Sequence, residues 1–260
     1  MNDGSRETFF IDPGKADELI KAMIWAWIID RPLNYYVTVR LPRHKKSFTE
    51  FNKGFTAWYY DRTGGESPYY IYVLKNPPGK IFYLNLLVHL PRHLQKHKRF
   101  KKLSKNWLIK EGVLPVTNKS VSCKPVHFSH RKTTDFDFIH RGQVKMIRYL
   151  IKGTPPDDCL RYGVEHEYQG SVIGKRCGRS LSFALIPTFL DSEQSARFRL
   201  FKQVCDEISF PIPHFDLEPE ESSLIDFDDS DDVVVRKSKL IDYRDSPDAL
   251  VLPREHSLTY

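Results

Sequence analysis

The sequence predicts an α+β fold, in which a central antiparallel sheet has helices packed on one side, as in ferredoxin-like and RRM-like folds. Three observations lead to this class. Short runs rich in aromatic and β-branched residues alternate with amphipathic runs, in the order strand, helix, strand, strand, helix, strand, helix. The two adjacent strands are joined by Asn-Pro-Pro-Gly (76–79), which favours an antiparallel hairpin. Hydrophobic residues make up 40% of the chain, which is enough for a packed core.

Each element has a local signal. The first helix is apolar at helical spacing and ends before Pro32, and the second has aromatic residues along one face and ends before Gly64. Pro91 closes the third strand and suits the first turn of the helix that follows. The predicted strands are residues 35–41, 69–74, 81–90 and 121–128, and the predicted helices are residues 17–29, 48–60, 92–109, 142–152 and 192–208.

The charge is divided unevenly along the chain. From Cys205 to the end there are 15 acidic and 5 basic residues, whereas residues 1–204 have a net charge of +17. A basic body indicates a polyanionic partner, and an acidic tail rich in Pro, Asp, Glu and Ser indicates a largely disordered segment suited to a protein partner. We therefore divide the chain into an N-terminal lead-in and helix (1–32), a polyanion-binding domain (33–210) and a flexible acidic tail (211–260).

Two locations are disfavoured. No apolar run approaches the about 18–20 residues of a membrane span, and the N-terminus lacks the pattern of a signal peptide. The four cysteines have no zinc-ligand spacing, and four thiols without a secretion signal fit a reducing compartment. The sequence therefore predicts a cytoplasmic protein with no membrane partner.

The predicted helix 92–109 is strongly cationic. Residues 92–110 include eight Lys or Arg residues and no acid, while Phe100, Leu103 and Trp107 form an apolar face. A solvated helix surface usually mixes both signs of charge, so a one-signed stripe favours contacts with nucleic-acid phosphates over plain solvation. The residues expected to make these contacts are Arg92, Lys96, Arg99 and Lys102.

The third predicted strand has polar groups on one face. Strand alternation places Tyr83, Asn85, Leu87 and His89 together and puts the intervening hydrophobic residues on the other face. The first set is either a site on a rigid element or the partly exposed face of an ordinary antiparallel sheet, with a hydrogen-bonded histidine.

A Tyr-x-x-Lys pair on a predicted helix is a candidate nucleophile. Tyr149 and Lys152 share a helix face. A tyrosine hydroxyl attacks phosphorus when its proton is removed and a nearby cation stabilises the phenolate. The alternative is that Tyr149 packs at the boundary of the core, as most helical tyrosines do.

A second basic segment is rich in glycine. Residues 170–179 contain three glycines and three cations, which is typical of either a phosphate-binding loop or an ordinary turn. The expected DNA-binding residues of this segment are Lys175, Arg176 and Arg179. Arg148, which directly precedes the candidate nucleophile Tyr149, is expected to bind DNA as well.

Five short motifs occur in a characteristic order. They are Tyr-Val-Thr-Val (36–39), Tyr-Ile-Tyr-Val with its Pro-Gly loop (70–79), Tyr-Leu-Asn-Leu-Leu-Val-His-Leu-Pro (83–91), Arg-Tyr-Leu-Ile-Lys-Gly (148–153) and Gln-Gly-Ser-Val-Ile-Gly-Lys-Arg-Cys-Gly-Arg-Ser (169–180). Together they resemble the HUH endonuclease superfamily. Within it, the chain is similar to rolling-circle replication initiators and relaxase-like proteins of bacterial plasmids and prophages, and the resemblance covers residues 33–182.

The resemblance implies a DNA-nicking site. In this family a His-hydrophobic-His motif holds a metal ion on the sheet, and a helical tyrosine attacks single-stranded DNA and keeps the 5′-phosphate as a phosphotyrosine. It implies Tyr149 as the nucleophile, Lys152 as its helper and Mg²⁺ or Mn²⁺ as the cofactor. The metal motif is degenerate here, because Tyr83 and Asn85 stand where the histidines belong and Lys75 stands where related proteins have an acid.

Three functions follow as hypotheses. The first is a nuclease that nicks single-stranded or hairpin DNA during replication of a mobile element. The second is a catalytically inactive derivative that acts as a DNA-binding regulator or as a partner of an active initiator. The third is an RNA-binding module that uses the same sheet face. In the first two, DNA lies across an exposed sheet face on which Tyr70, Tyr72 and Tyr83 stack bases.

Overall fold

The structure, a computed structural model, describes residues 6–41, 47–95, 102, 106, 120–126, 136–183 and 190–215. Within these ranges the strands are β1 (Glu7–Thr8), β2 (Tyr35–Arg40), β3 (Tyr70–Lys75), β4 (Tyr83–Val88), β5 (Val121–Pro125), β6 (Val172–Ile173) and β7 (Cys177–Arg179). The α-helices are α1 (Pro13–Ile28), α2 (Ser47–Thr63), α3 (Phe136–Ile151), α4 (Pro156–Arg161) and α5 (Ser192–Glu207).

Five of the strands form one antiparallel sheet in the order β5-β2-β4-β3-β7. The predicted hairpin is present, since β3 and β4 pair directly, with Tyr70 opposite Val88 and Lys75 opposite Tyr83. The remaining two strands, β1 and β6, form a separate two-stranded antiparallel sheet. The predicted α+β class with an antiparallel sheet is therefore confirmed.

Helices cover both faces of the main sheet, so the prediction of helices on one side is wrong. One apolar core lies between the sheet and α2, and the other lies between the sheet and α1, α3 and α5. The reason is visible in β3, whose six residues are all buried. A strand that is apolar on both faces needs a covering layer on each of them.

The aromatic residues of β3 lie under α2 and not at the surface. Phe55 packs edge-on against Tyr70, with 5.8 Å between ring centroids, and Phe48 packs against Tyr72 at 4.1 Å. Both tyrosines are buried. The expectation that Tyr70 and Tyr72 stack exposed bases is therefore wrong.

The first helix belongs to the core of the fold. Asp12 caps its N-terminus by accepting a hydrogen bond from the backbone N–H of Lys15, and Pro13 occupies the first turn, where its missing N–H costs nothing. Ten of its sixteen residues are buried, in contact with β3, β7, α3 and α5. The segment 1–32 therefore includes a helix on which one face of the sheet depends.

The predicted helix 92–109 is described only in part. A 3₁₀ turn spans Arg92–Leu94, and residues 102 and 106 are helical. Arg92 and Lys102 are exposed, as a phosphate contact requires. The other two predicted contacts of this stripe, Lys96 and Arg99, lie outside the described residues.

By its internal contacts the chain divides into two units, Met1–Glu220 and Glu221–Tyr260. The first unit extends past the predicted boundary at 210, because Ile212 and Phe215 pack against the core and the ring of Phe215 lies 5.6 Å from that of Phe198. The rest of the predicted acidic tail, residues 216–260, lies outside the described residues.

In the part of the chain that the structure describes, no helix has the length and apolar character needed to cross a membrane.

Candidate functional site

Two rows of cross-strand neighbours define the candidate site. In one row Tyr83 on β4 lies between Arg40 on β2 and Lys75 on β3, and in the next row Asn85 on β4 lies beside Thr38 on β2. Residues two apart along a strand share a face, so these side chains project to the same side of the sheet. That side is the one covered by α3, and the site therefore lies between the sheet and α3.

Tyr149 projects from α3 toward this face and is half-buried. Its ring stands edge-on to that of Tyr36, with 6.1 Å between centroids. Burial, foremost, and the charge of Glu167 raise the pKa of Tyr149, although polar interactions with the side chains of Tyr36 and Tyr83 partly lower it. Tyr149 is therefore a neutral phenol at neutral pH. We call the three linked side chains, Tyr36, Tyr83 and Tyr149, the tyrosine cluster.

Asn85 is fully buried and joined to the tyrosine cluster. Its Oδ1 accepts hydrogen bonds from the hydroxyl of Tyr36 at 2.6 Å and from Oγ1 of Thr38 at 3.1 Å. Tyr36 therefore contacts both residues, Asn85 through its hydroxyl and Tyr149 through its ring. The structure brings together three residues that the sequence predicted to share a site, namely Tyr83, Asn85 and Tyr149.

Lys75 is buried beside the tyrosine cluster, with 1% of its surface exposed. Its Nζ lies 4.0 Å from the ring centroid of Tyr149. With the amide of Gln169 oriented so that its oxygen faces donors, Oε1 accepts from Nζ of Lys75 at 2.9 Å and from the backbone N–H of Gly153 at 3.2 Å. Burial lowers the pKa of Lys75 to about 8, because a charged ammonium is disfavoured away from water.

Lys152, the predicted helper, directly follows the last residue of α3 and is half-buried. Its charge is close enough to Lys75 to lower the pKa of that group further, whereas the carboxylate of Glu167 opposes the shift. The loop that carries Glu167 is held at the end of α3, because the backbone N–H of Glu167 donates to the carbonyl of Lys152 at 2.9 Å. Lys75 therefore has a second lysine, Lys152, and an acid, Glu167, in its surroundings.

This donor set does not fit Mg²⁺ or Mn²⁺, which prefer several carboxylate or carbonyl oxygens. Oδ1 of Asn85 already accepts two hydrogen bonds, and burial raises the pKa of Tyr83 to about 12, so that its phenol is neutral. The ammonium of Lys75 would also repel a divalent ion. Among the described residues, no group of three or more His, Cys, Asp or Glu side chains is placed to hold a metal.

Arg176 is a structural residue, in contrast to its predicted role in DNA binding. Its guanidinium is buried, at 3% exposure, and donates to the carbonyls of Thr8 at 2.7 Å, Leu74 at 3.5 Å and Gly170. These contacts join β1, β3 and the 165–171 loop. Because the side chain is buried and both terminal nitrogens of its guanidinium donate to backbone oxygens, Arg176 is not available to phosphates.

Two other predicted DNA contacts also bind the protein's own backbone. Arg179 donates to the carbonyl of Phe183. Arg148 donates to the carbonyls of Ile208 at 3.0 Å and Ser209 at 3.1 Å, which holds α3 against the end of α5. Of the four residues predicted to contact DNA in this part of the chain, Arg148, Lys175, Arg176 and Arg179, Lys175 alone is exposed.

His89 has a structural role as well. It is buried, and its Nδ1 lies 2.9 Å from the carbonyl oxygen of Pro32. Burial lowers the pKa of His89, so the ring is neutral at neutral pH. For His89, the structure therefore agrees with the alternative of an ordinary sheet face that has a hydrogen-bonded histidine. His89 takes no part in the site.

Replacing Tyr36 with phenylalanine tests the hydrogen bonding of the cluster. Because the change removes one of two donors to the buried Oδ1 of Asn85, we expect the free energy of unfolding to fall by about 1–2 kcal/mol. Urea unfolding followed by circular dichroism measures the difference. The control is Tyr60→Phe on α2, where the side chain is 55% exposed and the expected change is below about 0.5 kcal/mol. Equal stability of the two variants would contradict the described hydrogen bond.

Sequence reasoning missed three members of the site, Tyr36, Glu167 and Gln169. Tyr36 and Gln169 each begin a motif that carries the family resemblance, so a signal was present for both. Glu167 has no such signal, because its proximity to Tyr149 depends on how the loop after α4 folds back over β3.

Comparison of the sequence with models of known protein families gave no match. Comparison with curated proteins gave none at a significant level.

Proposed function

We propose that this chain is a DNA-binding protein of the HUH type that has lost metal-dependent nicking, and that it binds single-stranded or hairpin DNA as a regulator or partner in the replication or mobilisation of a plasmid or prophage. The observation that carries the proposal is the buried ammonium of Lys75, 4.0 Å from the ring centroid of Tyr149. Lys75 lies beside Tyr149, the residue that corresponds to the family's nucleophile. It occupies the position at which related proteins have an acid.

The chemistry of the site supports binding over cleavage. A metal ion at a scissile phosphate contributes several kcal/mol of transition-state stabilisation, and the donor set around Asn85 does not suit one. Tyr149 is a neutral phenol with a raised pKa, which makes it a poor nucleophile. Both features slow a nicking reaction, but neither weakens the attraction of an anionic strand to the exposed cations of the chain.

The charge of the surrounding surface supports a nucleic-acid partner. Arg92, Lys102 and Lys175 are exposed. Residues 1–204 as a whole have a net charge of +17. Contacts of this kind release counterions from DNA, so the affinity falls steeply as salt rises.

The binding test uses fluorescence anisotropy with a labelled single strand, a labelled hairpin and an RNA of the same sequence, between 50 and 200 mM KCl. We expect the DNA affinity to fall about 100-fold or more over this range, as for a protein with several phosphate contacts. Absent or salt-insensitive DNA binding would sink the proposal. A clear preference for the RNA strand would support the RNA-binding module instead.

The cleavage test incubates the full chain with end-labelled single-stranded or hairpin DNA and Mn²⁺ or Mg²⁺. We expect no adduct that survives denaturation, and we expect Tyr149→Phe to bind DNA within about threefold of the wild type, because the phenol is not ionised. An adduct that forms with the wild type and disappears in Tyr149→Phe would support the nicking hypothesis and overturn the inactive one.

A further inference from the structure

A cavity of about 470 Å³ opens at the end of the candidate site, where β2 and β4 meet the loop between β3 and β4. Its volume is within the range of pockets that hold a small ligand or one unit of a polymer. The residues that line it are Thr38, Arg40, Gly79, Lys80, Ile81 and Tyr83.

The lining combines two cations with a hydroxyl. Arg40 and Lys80 contribute two positive charges, Thr38 contributes an oxygen, and none of the six lining residues is acidic. A guanidinium presents paired donors that match the oxygens of a phosphate, and an ammonium adds a point charge. The cavity is therefore suited to an anion with tetrahedral oxygens.

The lining also has an apolar part that a phosphate alone does not need. Ile81 is 52% exposed, and the ring of Tyr83 is half-buried at the cavity wall. Among the described residues, no atom lies within 4 Å of the point where a Cβ on Gly79 would be, so the loop leaves room at the cavity mouth. An aromatic ring and an aliphatic side chain beside two cations are the elements that bind a base and its phosphate.

The cavity is continuous with the tyrosine cluster. Tyr83 belongs to both, since it lines the cavity and lies close enough to Tyr149 for the two phenols to influence each other's pKa. Thr38 lines the cavity and donates to Oδ1 of Asn85 at 3.1 Å. Arg40 and Lys75 flank Tyr83 in the sheet register. The cavity therefore adjoins the candidate site along β2 and β4.

We infer that this cavity is a nucleotide subsite, in which Arg40 and Lys80 bind one backbone phosphate of single-stranded DNA and Tyr83 and Ile81 contact the adjoining base. The inference rests on the proposed DNA binding and adds to it the place where the strand enters the site. It assigns a direct role to Arg40 and Lys80, neither of which stands out as a DNA contact in the sequence.

The test compares two double variants by fluorescence anisotropy with a labelled 12-nucleotide single strand. Arg40→Ala/Lys80→Ala removes the cations of the cavity, and Lys53→Ala/Lys202→Ala removes two exposed lysines from α2 and α5. We expect the first variant to bind about 10–100-fold more weakly, with the salt slope reduced by about 2, and the second to stay within about threefold of the wild type. Circular dichroism and thermal unfolding verify that both variants are folded.

A second measurement locates the base. A single strand that carries 5-iododeoxyuridine is crosslinked to the wild-type chain by light, and the labelled peptide is identified by mass spectrometry. We expect the crosslink at Tyr83. Wild-type DNA binding that the cavity variant retains, or crosslinks that lie only outside residues 79–83, would overturn the subsite and leave the proposed function standing. Absence of any DNA binding by the wild type would overturn both.

Discussion

Replacing Gly170 with alanine is expected to lower the free energy of unfolding by about 4 kcal/mol, which combines the cost of overpacking with that of a left-handed backbone. A Cβ at this position would lie 1.6 Å from the carbonyl oxygen of Asn76, and the φ angle is +74°. The loop cannot move away without losing other bonds. The backbone N–H of Asn76 donates to the carbonyl of Gln169 at 2.8 Å, and its side-chain amide donates to the carbonyl of Ser171 at 2.9 Å.

Gly79→Ala is a matched control for this prediction. Gly79 has a φ angle of +68°, but no described atom lies within 4 Å of its would-be Cβ. Its substitution therefore carries the backbone cost alone, about 1–2 kcal/mol. Urea unfolding of the wild type and the two variants measures both values, and the difference between them isolates the close approach of Gly170 to Asn76. Equal losses of stability in the two variants would contradict that approach.

The loop that Gly170 permits also completes the candidate site. It carries Gln169, whose amide oxygen accepts from Lys75, and Glu167, whose charge acts on Tyr149. The glycine-rich segment therefore has a structural reason for its composition, namely a backbone crossing at the end of β3. The sequence alone does not distinguish a phosphate-binding loop from such a crossing, because both need a residue without a Cβ.

Local patterns were sufficient to predict the sheet and part of the site. Strand alternation placed Tyr83 and Asn85 on one face of β4, whereas it was the family resemblance and not helical spacing that joined Tyr149 to them. The hairpin and the shared face of Tyr83 and Asn85 were predictable because each depends on a few consecutive residues and a fixed backbone period.

Features that depend on distant contacts were not predictable in the same way. A sequence shows the charge of Arg176 but not that the carbonyl of Leu74, 102 positions away, accepts from it. The strands β1 and β6 have two residues each, too few for a periodic signal. The second layer of helices was predictable in principle, because the run 70–75 is apolar at almost every position, which is typical of a strand that is buried on both faces.

Replacing Lys75 with methionine is expected to change how stability depends on pH. Burial lowers the pKa of Lys75 from 10.5 to about 8. Between these values the unfolded chain holds a proton that the folded chain has lost, so wild-type stability rises with pH across this window. Below about pH 8 both states are protonated, and the charged form costs the folded state about 3 kcal/mol relative to pH above 10.5. Methionine has similar length and no charge, so its variant lacks this dependence.

The measurement is urea unfolding of wild type and Lys75→Met from pH 6.5 to 10.5. We expect the stability of the variant relative to the wild type to be highest below pH 8 and to fall by about 3 kcal/mol as the pH rises to 10.5. The tyrosines titrate in both proteins, and their effect largely cancels in the difference. The control is Lys202→Met, an exposed position on α5, for which the difference should change by less than about 0.5 kcal/mol.

DNA affinity measured over the same pH range, with the same two proteins, bears on the proposed function. If the folded protein bears a cation at Lys75 at neutral pH and loses it near pH 8, DNA affinity should fall between pH 7 and 9 in the wild type and should not fall in Lys75→Met. A stability difference that is flat with pH would mean that Lys75 has an ordinary pKa, and that its ammonium is well solvated or paired. The argument that a buried cation stands beside Tyr149 and excludes a metal ion would then fail, and the nicking hypothesis would regain its chemical basis.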